Sequence, residues 1–311
     1  MEPSHVHPFK TQITLCLSLI FCLQNSKSHA IIKRKGGDTV IPPKNKIFTK
    51  EDIFNQLEKF GAPKDSVVLV NSSYRLVGNF EGGAEKFLDA LVEFFTAKGG
   101  LLCIPTHTWH NIDKDISLDM NDPSTCLGLL PDIAAKDTRG VRTQNPTHSM
   151  VVFGNRDRVH DFVKDESKVS SGTDPIGCHG KLYRENGYVL LVGVAHDKNT
   201  YLHCVDEMLN TPNRMDKNTI DLTVKLREGE LVTTPITPLY TDFTDDISLR
   251  FPKYETAFRY HGAITDGFLG NAPTQLCSAR IMKETMELIA KRSGENDPLA
   301  DEFALSPKLY C

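Results

Sequence analysis

Val67-Val68-Leu69-Val70 and Leu101-Leu102-Cys103-Ile104 are two short, wholly apolar runs. Runs of this length without a polar face read as strands covered on both sides, as in a parallel sheet. Between them Phe87, Leu88, Leu91, Val92 and Phe95 recur at helical spacing, and Gly99-Gly100 ends that segment. Ahead of the first run, Thr49-Lys50-Glu51-Asp52 has the spacing of a capping box and opens an amphipathic helix through Phe60, which Gly61-Ala62-Pro63 stops. Helix and strand therefore alternate from residue 49 to 104, the pattern of an α/β protein with crossover helices.

Downstream the pattern loosens. Residues 105–148 are loop-rich, with a short helix expected at 130–136. A strand is expected at 150–153, a helix at 156–164, and a central strand at Tyr188-Val189-Leu190-Leu191-Val192-Gly193-Val194. Apolar and polar residues alternate over 220–235 around Glu228-Gly229-Glu230, which reads as a β-hairpin. Two more helices are expected at 252–260 and 278–292. The expected fold class is α/β: a single large domain whose central sheet, largely parallel or mixed, is flanked by helices, with a β-hairpin and loop insertions. The expected organisation is an apolar leader at 1–30, a linker at 31–48, the main domain at 49–295 and a polar C-terminal tail at 296–311.

The chain has 311 residues, 40% apolar and 24% charged, which suits an ordinary globular protein with a sizeable core. Its formal net charge is −4 and no Lys/Arg stripe is visible, so nucleic acid is not an expected partner. Residues 13–23 form an apolar run preceded by Lys10, and Ser28-His29-Ala30 offers small residues at positions a signal peptidase reads. That run is too short for a stable membrane span. The competing reading is a disposable extension of a cytosolic protein. The eight cysteines are spread out, show no CxxC pairing and point to neither a zinc site nor a disulfide framework.

The residue with most chemical promise is His203, in Thr200-Tyr201-Leu202-His203-Cys204-Val205-Asp206-Glu207. If 200–209 is helical, Asp206 and Glu207 lie three and four positions on, along the same face, where a carboxylate can hold the imidazole in one tautomer. An oriented, neutral imidazole after a buried strand is what a general base needs. The same spacing fits a histidine beside two solvated acids, which is the commoner case. Loops after expected strands carry further candidates, since α/β sheets bind ligands beyond the carboxyl ends of their strands. These are Asn71-Ser72-Ser73-Tyr74-Arg75, Pro105-Thr106-His107-Thr108-Trp109 and Asn145-Pro146-Thr147-His148-Ser149. Gly78, Gly82 and Gly83 precede a helix start and would let an anionic group approach the backbone, although a plain structural turn fits as well. No GxxxxGK[ST], GxGxxG or GxSxG is present, and His107, His148 and His203 lack metal-ligand spacing. Asp113, Asp115, Asp119 and Asp122 form an acidic loop that is either solvated or placed to gather a cation.

Six segments, in order, carry a resemblance. They are Val70-Asn71-Ser72-Ser73 with Gly78 and Glu81-Gly82-Gly83; Ile104-Pro105-Thr106-His107-Thr108; Arg142 with Asn145-Pro146-Thr147-His148-Ser149; Gly177-Cys178-His179-Gly180-Lys181-Leu182; Val189-Leu190-Leu191-Val192-Gly193-Val194; and Asn199-Thr200-Tyr201-Leu202-His203-Cys204-Val205-Asp206. Over about residues 49–292 the chain resembles the aminoglycoside N(3)-acetyltransferase family, the antibiotic N-acetyltransferases of the YokD type. The resemblance implies acetyl transfer from acetyl-CoA, as cosubstrate and without a metal, to the 3-amino group of an aminoglycoside. It makes His203 the general base, with Asp206 or Glu207 holding it. On this reading Ser72, Ser73, Tyr74, Arg75, Gly78, Gly82, Gly83, Thr106 and Ser149 bind the cosubstrate, and His107, Trp109, Asp113 and His148 meet the cationic amine substrate. The chain departs from the family pattern where Asp206 stands in the Glu position of His-x-x-Glu, and where Asn71 and Asn145 replace histidines. The alternative is an acyltransferase for another amine-bearing sugar, nucleoside or metabolite, or a non-catalytic relative. An intracellular donor makes the cytoplasm the expected location, with secretion the alternative if residues 1–30 are a cleaved signal; a homodimer stays open.

Overall fold

The computed structural model describes residues 46–240, 245–301 and 303–311. The leader and most of the linker lie outside these residues. A short strand β1 (Ile47–Phe48), inside the stretch read as linker, leads into α1 (Lys50–Lys59). The capping box forms as expected: Asp52 N donates to Thr49 Oγ1, and Thr49 N donates to the Asp52 carboxylate. Next come β2 (Val67–Ser72), the single turn α2 (Tyr74–Val77), β3 (Asn79–Phe80), the crossover helix α3 (Gly83–Thr96) and β4 (Leu101–Pro105). Then follow β5 (Leu118–Asp119), α4 (Leu129–Lys136), β6 (Val141–Arg142), β7 (Met150–Phe153), α5 (Arg156–Val163), α6 (Cys178–Arg184), β8 (Tyr188–Val192) and α7 (Tyr201–Met208). The hairpin of β9 (Ile220–Lys225) and β10 (Leu231–Ile236), a 3₁₀ segment at Ile247–Tyr254, α8 (Glu255–Tyr260), β11 (Ile264–Leu269), β12 (Ala272–Ser278) and α9 (Ala279–Ser293) complete the order.

The seven-stranded sheet runs β11-β12-β8-β2-β4-β7-β6. Only its centre is parallel: β2 pairs in parallel with β4 and with β8, and every outer pairing is antiparallel. Successive side chains of β2 face opposite ways. Val68 and Val70 join Ile53, Leu57, Phe87, Leu91 and Leu130 in one apolar layer. Val67 and Leu69 join Val159, Leu182, Tyr201, Val205, Phe251 and Met282 in the other. Helices thus cover both faces, which is why these strands carry no polar face. The hairpin pairs with β5 in a separate three-stranded sheet held by small apolar clusters of its own. Among the described residues no helix is long and apolar enough to cross a membrane.

Three features depart from expectation. The edge hairpin of β11 and β12 is invisible in the sequence because Asp266-Gly267 and Pro273 interrupt its alternation. Helix α6 is masked by Gly180, which the fold requires: a Cβ there would come within 1.8 Å of the Pro175 carbonyl oxygen. The tail read as polar is packed, since Leu299, Leu305 and Tyr310 enter the core. Four of the six described cysteines are buried thiols, and all six are free.

The tail also closes an ion triad. Arg214 donates from Nε to Asp206 Oδ2 at 3.2 Å, and its guanidinium reaches Asp297 at 2.8 Å. The side chains of Arg214 and Asp206 are each 2% exposed. Removing one partner of such a pair leaves a buried charge without compensation. Arg214→Leu is therefore expected to cost about 3–5 kcal/mol of unfolding free energy at pH 8, measured by urea denaturation. The loss should shrink at pH 5, where protonation neutralises the stranded Asp206.

Candidate active site

Parallel strands end at the same edge, and there the chain encloses a cavity of about 940 Å³. Its wall takes Asn71 to Arg75 from the end of β2 onward, Pro105, His107 and Trp109 from the end of β4 onward, and Val194 with Asp197 to Thr200 after β8. Gly193 turns the chain sharply out of β8 with φ +65°, a backbone conformation that favours glycine. His203, in the first turn of α7, opens into this cavity.

The His203 ring is half-buried and meets the Phe251 ring edge-on, with centroids 4.8 Å apart. Burial lowers its pKa to about 4; the nearby Asp246 carboxylate works against this and Arg214 adds to it. The imidazole is therefore uncharged at neutral pH, with a lone pair to offer. Among the described residues it makes no side-chain hydrogen bond.

The two acids expected to hold His203 are engaged elsewhere. Asp206 is bound to Arg214, and burial raises its pKa to about 6 against that pairing. Glu207 accepts from Ser171 Oγ at 2.6 Å and from Thr173 Oγ1. A guanidinium and two hydroxyls out-compete the imidazole, because burial leaves each carboxylate needing full hydrogen-bond compensation. Both acids fix α7 instead of the ring it carries.

Of the residues assigned to the cosubstrate, Ser72, Ser73, Tyr74 and Arg75 line the cavity, and Gly78, Gly82, Gly83, Thr106 and Ser149 do not. Gly78 closes against Asn271, while Gly82 and Gly83 start α3, all three at positive φ. Thr106 and Ser149 are fully buried and bonded to each other, Oγ1 to Oγ at 3.0 Å, where they pin the loop after β4. Of the substrate candidates, His107, Trp109 and His148 line the wall, whereas Asp113 is exposed outside it. The rest of the acidic loop is no part of the wall either: Asp119 pairs with Lys225 at 3.0 Å. The His107 ring lies 4.6 Å from His148 and 6.4 Å from His179; burial lowers all three pKa values, and repulsion from neighbouring imidazoles, His203 among them in each case, lowers them further. Among the described residues no three His, Cys, Asp or Glu side chains are arranged to hold a metal ion.

Several wall residues had no local signal in the sequence. Asp246 lines the cavity as N-cap of the 3₁₀ segment, accepting from Ser248 N at 2.9 Å, and lies 43 positions from His203 with no motif between. Ile236 and Pro238 to Tyr240 arrive from the hairpin side, Cys126 to Gly128 from the loop before α4, and Leu129 from the start of that helix. Asn199 is buried with its Nδ2 at 3.1 Å from His196 Nδ1. Its place in the stretch that carries His203 was the one available hint.

A profile of the family described as Aminoglycoside 3-N-acetyltransferase matches residues 69–289. Aminoglycoside N(3)-acetyltransferase IV of Salmonella sp is 27% identical over 255 residues, covering 80% of this chain and 88% of that protein. Among the solved structures that share the fold are two complexes. One is a mutant of aminoglycoside acetyltransferase AAC(3)-IVa in complex with a gentamicin, with TM-score 0.65, 23% identity, and 80% of this chain and 90% of that chain covered. The other is AAC-IIIb binary with CoASH, with TM-score 0.66, 20% identity, and 81% and 100% covered. The profile spans most of the chain, beginning within β2 and ending inside α9, so nearly all of the main sheet and the cavity at its edge are included: this protein is an acyltransferase that belongs to the aminoglycoside 3-N-acetyltransferase family.

Proposed function

We propose that this chain transfers the acetyl group of acetyl-CoA to the 3-amino group of an aminoglycoside by direct attack within a ternary complex. The observation that carries this reading is the uncharged imidazole of His203, opening into a cavity large enough for a pantetheine arm and a sugar amine together. The complexes of relatives with CoASH and with a gentamicin add support.

His203 takes a proton from the attacking amine as the C–N bond forms. It returns that proton to the thiolate released when the C–S bond breaks, so the products are the acetamide and coenzyme A. Asp246, which lines the same cavity near the ring, stabilises the imidazolium that exists between these two transfers. Asp206 and Glu207 act one step back, by holding α7. Ser72 to Arg75 fit the anionic arm of the cosubstrate: Arg75 is exposed on the cavity wall and has no ion pair among the described residues. His107, Trp109 and His148 would face the acceptor. This reading carries a cytoplasmic location, where the donor is made.

A second reading, transfer to another amine-bearing sugar, nucleoside or metabolite, is favoured by the composition of the wall. Its described acids are Asp197, already paired with Lys198 at 3.2 Å, and Asp246, in a wall that also holds Trp109, Leu127, Leu129, Leu239 and Tyr240. Coenzyme A release measured with gentamicin- and kanamycin-like acceptors and with other amines separates the two. His203→Asn should lower turnover by about 10²–10⁴-fold while coenzyme A still shifts the melting temperature. Unchanged turnover would remove His203 from its role.

A proton titration offers a second check. The folded-state pKa of His203 lies below its unfolded value of 6.5, so its contribution to stability is complete above pH 6.5 and lost as pH falls through about 4. NMR titration should show the ring uncharged down to that pH. The stability difference between wild type and His203→Asn should change by about 1.4 kcal/mol per pH unit across the same window.

A further inference from the structure

The carboxamide of Asn71 is the least explained polar group in the molecule. Asn71 is 8% exposed, lines the cavity, and its Nδ2 is buried without a hydrogen-bond partner. Neither atom of the carboxamide bonds to any described residue. The backbone of Asn71 does the structural work, in register with Leu191 of β8. Burying an amide unpaired opposes folding, so a structural role for this side chain has nothing to recommend it.

Its direction follows from the strand. Val67 and Leu69 face the layer that holds Tyr201, Leu202, Cys204 and Val205, and Asn71 is the next residue of that alternation. The side of the sheet that Asn71 extends is therefore the side on which α7 presents His203 to the same cavity. A base within hydrogen-bond reach of the amine nitrogen fixes where the carbonyl under attack must lie, since nitrogen and carbon approach to about 3 Å. The carbonyl oxygen gains negative charge as the C–N bond forms, and a preorganised N–H aimed at it lowers the barrier. A half-turn about the terminal torsion of Asn71, which is broad and roughly two-fold, brings the amide N–H to the cavity side.

We infer that Asn71 is a catalytic residue: its carboxamide donates a hydrogen bond to the thioester carbonyl oxygen and holds the charge that develops there. The inference rests on the acetyl-transfer reading above. Leucine branches at Cγ into two terminal heavy atoms as asparagine does, can extend its extra bulk into the cavity, and removes the unpaired amide, so Asn71→Leu should leave the melting temperature unchanged or raise it. The same variant should lose about 10²–10³-fold in turnover, with the KM for acetyl-CoA little altered. Infrared spectra of carbonyl-labelled acetyl-CoA bound without acceptor give a readout independent of turnover. The carbonyl band should lie at lower frequency on the wild type than on Asn71→Leu, because a donated hydrogen bond weakens the C=O bond. Identical bands, or undiminished turnover in the variant, overturn the assignment. A wild type that releases coenzyme A to no amine sinks the acetyl-transfer reading, while the band shift still decides Asn71; a wild type that gives no bound band sinks both.

Discussion

Parallel pairing of β8, β2 and β4 is the constraint on which the rest of this structure depends. It delivers three loops to one edge, and the cavity is what those loops enclose. The register is held by apolar burial on both faces: Val67, Val68, Leu69 and Val70 are all essentially inaccessible. Each such side chain contributes roughly 1.5–3 kcal/mol relative to an exposed one. A slip of one residue would exchange the two faces of β2 and carry Asn71 away from α7. The packing of the core and the aim of the cavity's polar groups are therefore one decision.

Electrostatics in the site follows from burial more than from pairing. His107, His148, His179 and His203 are all driven toward the neutral form by loss of solvent. The acids that the helical spacing placed near His203 are spent on anchoring α7, through Arg214 and Asp297 on one side and Ser171 and Thr173 on the other. The helix is held rigidly at its far end and left open at the turn that faces the cavity. Asp246 then supplies the opposite charge from a different element, whose Phe251 also packs on the ring.

What could be read in the sequence was what local physics determines. Thr49 and Asp52 announce a helix start because a capping box is a contact within four residues. The runs at Val67 and Leu101 announce buried strands because both faces are covered. His203 stood out because a histidine after a buried strand is chemically conspicuous, and the loops after β2 and β4 because ligand sites gather there. The partners of Asp206 and Glu207 were not legible: helical spacing says which residues can meet, while Arg214, Ser171 and Thr173 reach them through tertiary folding. Asp246 was hidden for the same reason. Thr106 and Ser149 are hydroxyls in the right loops, yet they bond to each other beneath the wall, and no sequence pattern separates that outcome from a ligand contact. The tail looked polar because Leu299, Leu305 and Tyr310 are spaced irregularly, as residues of a packed segment built from turns are.

The hairpin of β9 and β10 rests on apolar clusters that exclude the two main layers: Leu118, Met120 and Val224 in one, Val169, Leu222 and Ile236 in the other. The stretch that leaves it, Pro238 to Tyr240, forms part of the cavity wall. That side of the wall is tied to the helix bearing His203: Tyr240 N donates to the carbonyl of Arg214, which pairs with Asp206, and Thr237 bridges to Ser171, whose hydroxyl donates to Glu207. A substitution that displaces this stretch therefore pulls on α7 as well, so the hairpin side of the wall and the placement of the imidazole shift together.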